Sequence, residues 1–213
     1  MNEDARKALA GGAREILGRP LSQSEAALFY KYMTLLIKWS STHRMIGWAE
    51  PLWIVENLFL DSLLFLRILP PDIRSVMDLG AGAGIPGIPL KIVCSELHVT
   101  LLEARRRRAF FLSTVVRELG LVDTTVLEGR AESLAPERGG QFDAVVMRCV
   151  GDLDQLFSLA IRFAKPGGMV VASGPPEPFE LKGGEWIQVK GLRPGSTRRF
   201  AVRGLRGDVP QTG

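Results

Sequence analysis

Three glycines at alternate positions, set between a short apolar run and a helical stretch, constrain this chain more than any other feature. Ser75-Val76-Met77-Asp78-Leu79 leads into Gly80-Ala81-Gly82-Ala83-Gly84-Ile85-Pro86-Gly87. An apolar pentapeptide running into glycines reads as a buried strand that turns sharply into a helix, with backbone exposed to a ligand at the turn. The alternation continues downstream. Val99-Thr100-Leu101-Leu102-Glu103 reads as a strand and about Arg105 to Leu119 as a basic helix. Thr124 to Leu127 and Phe142 to Met147 read as strands, about Leu153 to Ala164 as a helix and Met169 to Ala172 as a strand after a Lys165-Pro166-Gly167-Gly168 turn. Strands alternating with helices imply an α/β fold with a mostly parallel sheet and right-handed crossovers. Gly174 to Pro178 reads as a loop, and Trp186 to Val189 with Phe200 to Val202 as an antiparallel closing pair.

The first 70 residues follow a different rhythm. Leu28, Phe29, Tyr32, Leu35, Leu36 and Trp39 share one face of a helix that Ser22 or Ser24 can cap. Val55, Leu58, Phe59, Ser62, Leu63 and Leu66 mark a second helix, which Pro70-Pro71 stops. A helical extension over 1–70 ahead of an α/β domain over 71–213 is expected. Leu58 to Leu69 is the longest apolar stretch, and Asp61 and Arg67 interrupt it, so no membrane span is expected. The polar N-terminus lacks the apolar core of a secretory signal. With two cysteines and two histidines, no metal site, disulfide framework or Ser/His/Asp triad is expected, and the chain reads as cytoplasmic.

The net charge is +4, and the basic residues from Lys182 to Arg206 face only Glu185 and Asp208. Such an end suits a polyanion such as nucleic acid, or simply a solvated surface.

The glycine loop formally fits a dinucleotide fingerprint, and Glu103 closes the next strand where an acid commonly meets ribose hydroxyls. Asp78 argues against a pyrophosphate, because a carboxylate beside the helix N-terminus repels phosphate. It suits an ammonium group. The Asp-x-Gly-x-Gly-x-Gly loop, the acid after the second strand and the late Lys-Pro-Gly-Gly together resemble the class I S-adenosylmethionine-dependent methyltransferases. That resemblance implies a Rossmann-like sheet and S-adenosylmethionine as cofactor. Asp78, Gly80, Gly82, Gly84 and Glu103 are the expected contacts, with Ala131 and Glu132 edging the adenine and Arg148 at the mouth.

The segment after the fourth strand, Met147-Arg148-Cys149-Val150, lacks the Pro-Pro-aromatic signature of amino-directed enzymes. Cys149 has no evident base for C5-pyrimidine chemistry and reads as a small packed residue. An arginine there suits a target already nucleophilic, such as guanine N7, which it can hold through the base edge or a phosphate.

Gly82-Ala83-Gly84-Ile85-Pro86-Gly87-Ile88-Pro89-Leu90 resembles the glycine loop of the glucose-inhibited-division protein B family. Val99–Glu103, Arg105–Arg108, Arg130-Ala131-Glu132, Phe142–Arg148, Leu36–Trp39 and Leu60–Leu63 resemble further segments of it. The resemblance implies a methyltransferase acting on guanine N7 of 16S ribosomal RNA in the small ribosomal subunit, with Arg148 catalytic and Arg148, Arg198 and Arg199 facing substrate; a monomer is expected. The chain departs from the family pattern at His43-Arg44-Met45-Ile46, Leu58, Met147, Cys149 and Ser173. The alternatives are a non-catalytic RNA-binding protein that keeps the cofactor, and a small-molecule methyltransferase.

Overall fold

A computed structural model describes residues 1–148, 152–174, 180–193 and 195–204; Cys149 and positions 175–178 of the expected proline-rich loop lie outside them. Helix α1 (Glu3–Leu17) is capped by Asn2, whose side chain accepts the Ala5 amide at 3.0 Å. Its apolar periodicity is faint, because the buried face consists of only Ala5, Leu9 and Ala13. Helix α2 (Gln23–His43) begins in a full capping box, with Ser22 and Glu25 satisfying each other's backbone amides. It buries Phe29, Tyr32, Met33 and Leu36.

The second expected helix is not uniform. It comprises α3 (Pro51–Ile54), a π-helical turn over Val55–Leu60, α4 (Asp61–Leu63) and a 3-10 turn over Leu64–Arg67. Consecutive residues of an α-helix point about 100° apart, so an amphipathic stripe cannot bury three in a row. Here Leu58, Phe59 and Leu60 are all buried, because the segment is wedged between two partners. Phe59 lies against Phe29 and Tyr32, with ring centroids 5.1 and 5.2 Å away. Leu60 lies against Gly12 of α1, where an added Cβ would come within 2.5 Å of it. Neighbours on both sides thus bury this π-helical turn, a feature often found at functional sites.

The rest is one seven-stranded sheet in the order β3-β2-β1-β4-β5-β7-β6. Its elements in chain order are β1 (Ser75–Leu79), α5 (Gly87–Val93), β2 (His98–Glu103), α6 (Arg106–Leu119), β3 (Thr124–Glu128) and α7 (Ala131–Arg138). β4 (Phe142–Arg148), α8 (Leu153–Ala160), β5 (Ala164–Ser173), β6 (Glu185–Lys190) and β7 (Thr197–Gly204) follow. β7 is antiparallel to both β5 and β6, the closing pair expected from sequence. The strand order reverses between β1 and β4, and in open α/β sheets ligands bind at such a switch, outside the carboxyl ends of the strands. On one face the sheet buries α5, α6 and the N-terminal helices in a shared core; α7 and α8 cover the other.

Lys165-Pro166-Gly167-Gly168 is not a turn before β5 but an irregular part of it. Phe142 pairs with Ala164, and the next partner, for Ala144, is Met169. Gly167 has φ 82°, and a Cβ on Gly168 would meet three carbonyl oxygens at 2.9–3.1 Å. Lys165 there donates to Asp143 at 2.8 Å. Burial opposes ionisation of Asp143, but bonds from Lys165, Ser75 and Arg74 prevail and hold its pKa down to about 2.

Two adjacent glycines sit inside α1. Gly12 is required by Leu60, whereas a Cβ on Gly11 meets nothing within 4 Å. Gly11→Ala is therefore expected to raise unfolding stability by about 0.5–1 kcal/mol. Gly12→Ala, which must displace Leu60, is expected to show no such gain in the same thermal melt.

Candidate active site

The glycine loop is pinned over the end of β2. The Gly80 and Ala81 amides both donate to the Leu102 carbonyl at 2.9 Å. Gly80 has φ 73°, and a Cβ built on it meets nothing within 4 Å, so its backbone faces open space. Gly84 has φ 90°, and a Cβ there would lie 2.3 Å from Ile88 Cδ1 and 3.0 Å from Tyr32 Oη. One glycine leaves room for a ligand and the other closes the helix onto the loop.

Asp78, the penultimate residue of β1, is fully buried. Its Oδ2 accepts the Gly87 amide at 2.8 Å. Its Oδ1 is buried with no hydrogen-bond partner. Burial raises its pKa to about 7, against the opposing pull of the Gly87 amide and the Arg148 charge. A buried acceptor without a donor is costly, so this oxygen is the feature of the loop that most calls for a cationic ligand.

Glu103 has both oxygens engaged: Oε2 accepts the Gly82 amide at 2.9 Å and Oε1 the Arg105 amide at 2.8 Å. The expected ribose acid thus braces the glycine loop against the start of α6, and each oxygen keeps one further lone pair. Ala131 opens α7 just after β3, and Glu132 in its first turn is exposed. The Gly129 amide donates to the Glu103 carbonyl at 3.1 Å, which joins this loop to the end of β2.

Arg148 ends β4 on the far side of the switch. Its Nη1 donates to the Asn57 carbonyl, in the π-helical turn, at 2.9 Å, and its Nη2 lies 3.5 Å from Asp61 Oδ2. Burial lowers its pKa, and the Asp61 charge opposes this. Arg198 of β7 meets the same carboxylate: Nε donates to Asp61 Oδ1 at 2.8 Å, and its Nη1 donates to the Gly174 carbonyl at 2.9 Å. One acid therefore holds two arginines that are 50 residues apart in the chain. Beside them a cleft of about 550 Å³ opens between α1, the π-helical turn and the β6–β7 connection. Ion pairs frame it, Lys190 with Glu15 and Arg193 with Glu56, both at 2.9 Å.

The structure brings Asp78, Gly80, Gly82, Gly84, Glu103 and Arg148 to one edge of the sheet and sets Arg198 beside Arg148. It does not bring Arg198 and Arg199 together. Successive residues of a strand face opposite sides; Phe200 and Val202, on the Arg198 side, join the core under the N-terminal helices, while Ala201, on the Arg199 side, joins the other. Three contributors were missed by sequence reasoning. Asp61 stood out as a charge interrupting an apolar run and as part of the family-like Leu60–Leu63 segment, with no signal for its arginine partners. Asn57 acts through its backbone and has none. Tyr32 read as core, yet its hydroxyl donates to the Ala83 carbonyl at 2.5 Å and ties α2 to the glycine loop. Among the described residues no cluster of histidine, cysteine, aspartate or glutamate could hold a metal ion, and no helix is long and apolar enough to cross a membrane.

The family model described as rRNA small subunit methyltransferase G matches residues 25–175, from α2 past the end of β5. The chain belongs to this family. The ribosomal RNA small subunit methyltransferase G of Geotalea uraniireducens is 35% identical over 172 residues, 81% of this chain and 78% of that one. Its namesake from Stenotrophomonas maltophilia K279a is 35% identical over 150 residues, 70% of this chain and 69% of its own. Among solved structures, an S-adenosylmethionine-dependent methyltransferase from Aquifex aeolicus superposes with a TM-score of 0.54 at 17% identity, covering 72% of this chain and 93% of that one, a likeness of fold. The fold is the class I methyltransferase fold expected from sequence. The methyltransferase G match ends before β6, so Arg198 and Arg199 lie beyond it.

Proposed function

We propose that this member of the methyltransferase G family transfers a methyl group from S-adenosylmethionine to N7 of a guanine in 16S ribosomal RNA, as a cytoplasmic enzyme. The family membership and the curated relatives' names support ribosomal RNA as substrate. The cofactor, when bound, supplies an electrophilic methyl on a sulfonium sulfur. The chain's residues fit it: the unpartnered Asp78 Oδ1 takes an ammonium, and the open backbone at Gly80 admits the ligand. Glu103, Ala131 and Glu132 border the ribose and adenine.

The observation that carries the guanine reading is Arg148, fixed at the switch point by Asn57 and Asp61. Guanine N7 has a free lone pair and no proton to lose. With the cofactor bound, it would form the new N–C bond as the methyl's bond to sulfur broke, and the positive charge would pass to the guanine ring. Such a step needs positioning rather than a base. Arg148, with Arg198, holds the base edge or a neighbouring phosphate. Asp61 offsets part of their charge where the ring becomes cationic.

Labelled methyl transfer into 16S ribosomal RNA, followed by mass spectrometry of nucleosides, tests this. N7-methylguanosine is the expected product. Arg148→Lys is expected to keep cofactor affinity and lose roughly tenfold or more in transfer, because lysine cannot donate the paired bonds. Methylation at another atom, or full activity in Arg148→Lys, would refute the reading.

A further inference from the structure

Across β1 from Arg198, on the other flank of the cofactor loop, the surface carries a large uncompensated charge. Arg105–Arg108 run through the N-cap and first turn of α6. Arg44, the C-cap of α2, lines a cleft of about 620 Å³ with Arg108. A second cleft, of about 450 Å³, joins Arg44 to all four arginines of the run. Around the opposite flank of the site the arginines are paired with acids: Arg193 with Glu56, and Arg148 and Arg198 with Asp61. No ion pair among the described residues involves Arg44 or Arg105–Arg108. Glu103, the nearest acid in the chain, forms no ion pair with them; its two hydrogen bonds go to the Gly82 and Arg105 amides. The first turn of α6 also contains no acid, although the helix dipole favours one there. This concentration of like charge is unfavourable in the free protein and is relieved by anions.

Two aromatic side chains stand out of the same surface. Phe110, 63% exposed, follows the basic run, and Trp48, also 63% exposed, lies between Gly47 and Ala49, which line the cleft shared by Arg44 and Arg108. Phe110 leans on Trp39, with ring centroids 5.8 Å apart, and still keeps most of its surface exposed. Guanidinium groups beside exposed aromatic rings match single-stranded RNA, whose phosphates take the charge and whose unstacked bases stack on the rings.

We infer that Arg44 and Arg105–Arg108, with Trp48 and Phe110, form a second RNA-contacting surface that holds a single-stranded segment next to the target nucleotide. The inference rests on the ribosomal RNA substrate proposed above. Bound there and at Arg148 and Arg198, the RNA spans the carboxyl edge of the sheet, with the methyl-transfer site between its two holds.

The test compares Arg106→Ala/Arg107→Ala, Arg106→Lys/Arg107→Lys, Trp48→Ala/Phe110→Ala and a control of equal charge loss, Arg14→Ala/Arg138→Ala. The readouts are binding to a naked 16S ribosomal RNA fragment over a potassium chloride series, cofactor affinity, and steady-state transfer. The arginine-to-alanine pair is expected to flatten the log–log salt slope by about 1.4, the value for two single-strand phosphate contacts. It is also expected to raise KM with kcat and cofactor affinity nearly unchanged, and the lysine pair to restore binding. The aromatic pair is expected to weaken binding roughly fivefold or more at an unchanged slope. The control is expected to move neither. An unchanged slope in the alanine pair, with wild type binding and methylating RNA, overturns this surface alone. Loss of activity on assembled subunits with intact binding to naked RNA would assign the contact to a ribosomal protein and overturn it too. A wild type that neither binds nor methylates RNA would overturn the substrate assignment itself.

Discussion

Asp78→Asn is expected to stabilise the cofactor-free protein above pH 7 while weakening S-adenosylmethionine binding tenfold to a hundredfold. Both effects come from one buried carboxylate. The Asp78 pKa in the folded chain is about 7, raised by burial from its ordinary 3.8. Between about pH 4 and 7 the folded state holds a proton that the unfolded state has lost, so stability falls as pH rises through that window. Below about pH 4 both states are protonated and the penalty vanishes. Above pH 7 the folded protein carries a buried anion, at a cost of up to roughly 4 kcal/mol for a shift of about three pKa units. Asparagine keeps an acceptor for the Gly87 amide and has no charge to bury. Denaturant melts without cofactor should show the variant ahead by about 2–4 kcal/mol at pH 8 and by little at pH 4. The lost binding follows from removing a charged acceptor for the ammonium, worth about 1.5–3 kcal/mol. Wild-type affinity should accordingly climb with pH between about 5 and 7, since the binding form is the ionised one. Equal cofactor affinity in the variant would remove Asp78 from the site, and the absence of a gain at pH 8 would show that its carboxylate is not costly in the free protein.

The second large effect is expected at Asp61. Its carboxylate is the common partner of Arg148 and Arg198, and all three side chains are largely withdrawn from solvent. Asp61→Ala strands two guanidinium groups beside each other. A fully buried pair broken this way costs about 3–5 kcal/mol; the partial solvent access of both arginines lowers the expected loss to about 2 kcal/mol. Methyl transfer should fall further than stability, by about a hundredfold, because both arginines lose the group that orients them; an orienting loss of this kind can cost that much. Asp61→Asn preserves shape and one acceptor but not the charge, so it should lose less stability than Asp61→Ala yet remain slow, with cofactor affinity intact. Single-turnover transfer with saturating cofactor separates these outcomes. A fully active Asp61→Asn would show that the arginines need no fixed charge between them.

The glycine loop was legible in the sequence because its signal is local. A left-handed φ at Gly80 and Gly84 demands glycine whatever the distant chain does, and the strand before and helix after it announce themselves by periodicity. The antiparallel pair β6–β7 was legible for the same reason. The Lys-Pro-Gly-Gly segment shows the limit of such reading. Its composition says turn, yet pairing with β4 draws it into β5 as an irregular stretch, since a strand partner can absorb extra residues where a local rule sees only a break.

The class of machine is written in local signals: strand, glycine loop, helix and an acid after the second strand, and hence a mostly parallel sheet with its glycine loop at the carboxyl edge. The tertiary structure alone decided which side chains share that edge with the loop. Asp61 meets Arg198 across 137 residues and Asn57 meets Arg148 across 91, and no spacing rule reaches so far. Tyr32, a core residue, also ties the glycine loop only because α2 lies on that loop. Arg198 and Arg199, neighbours in sequence, were separated to opposite faces by the pleat of β7. The physical reason is common to all of these. Backbone conformation is set by forces between residues a few positions apart, whereas a charged site is assembled by whatever the buried apolar faces happen to bring into register, and those faces specify contact without naming the polar residues that ride on them.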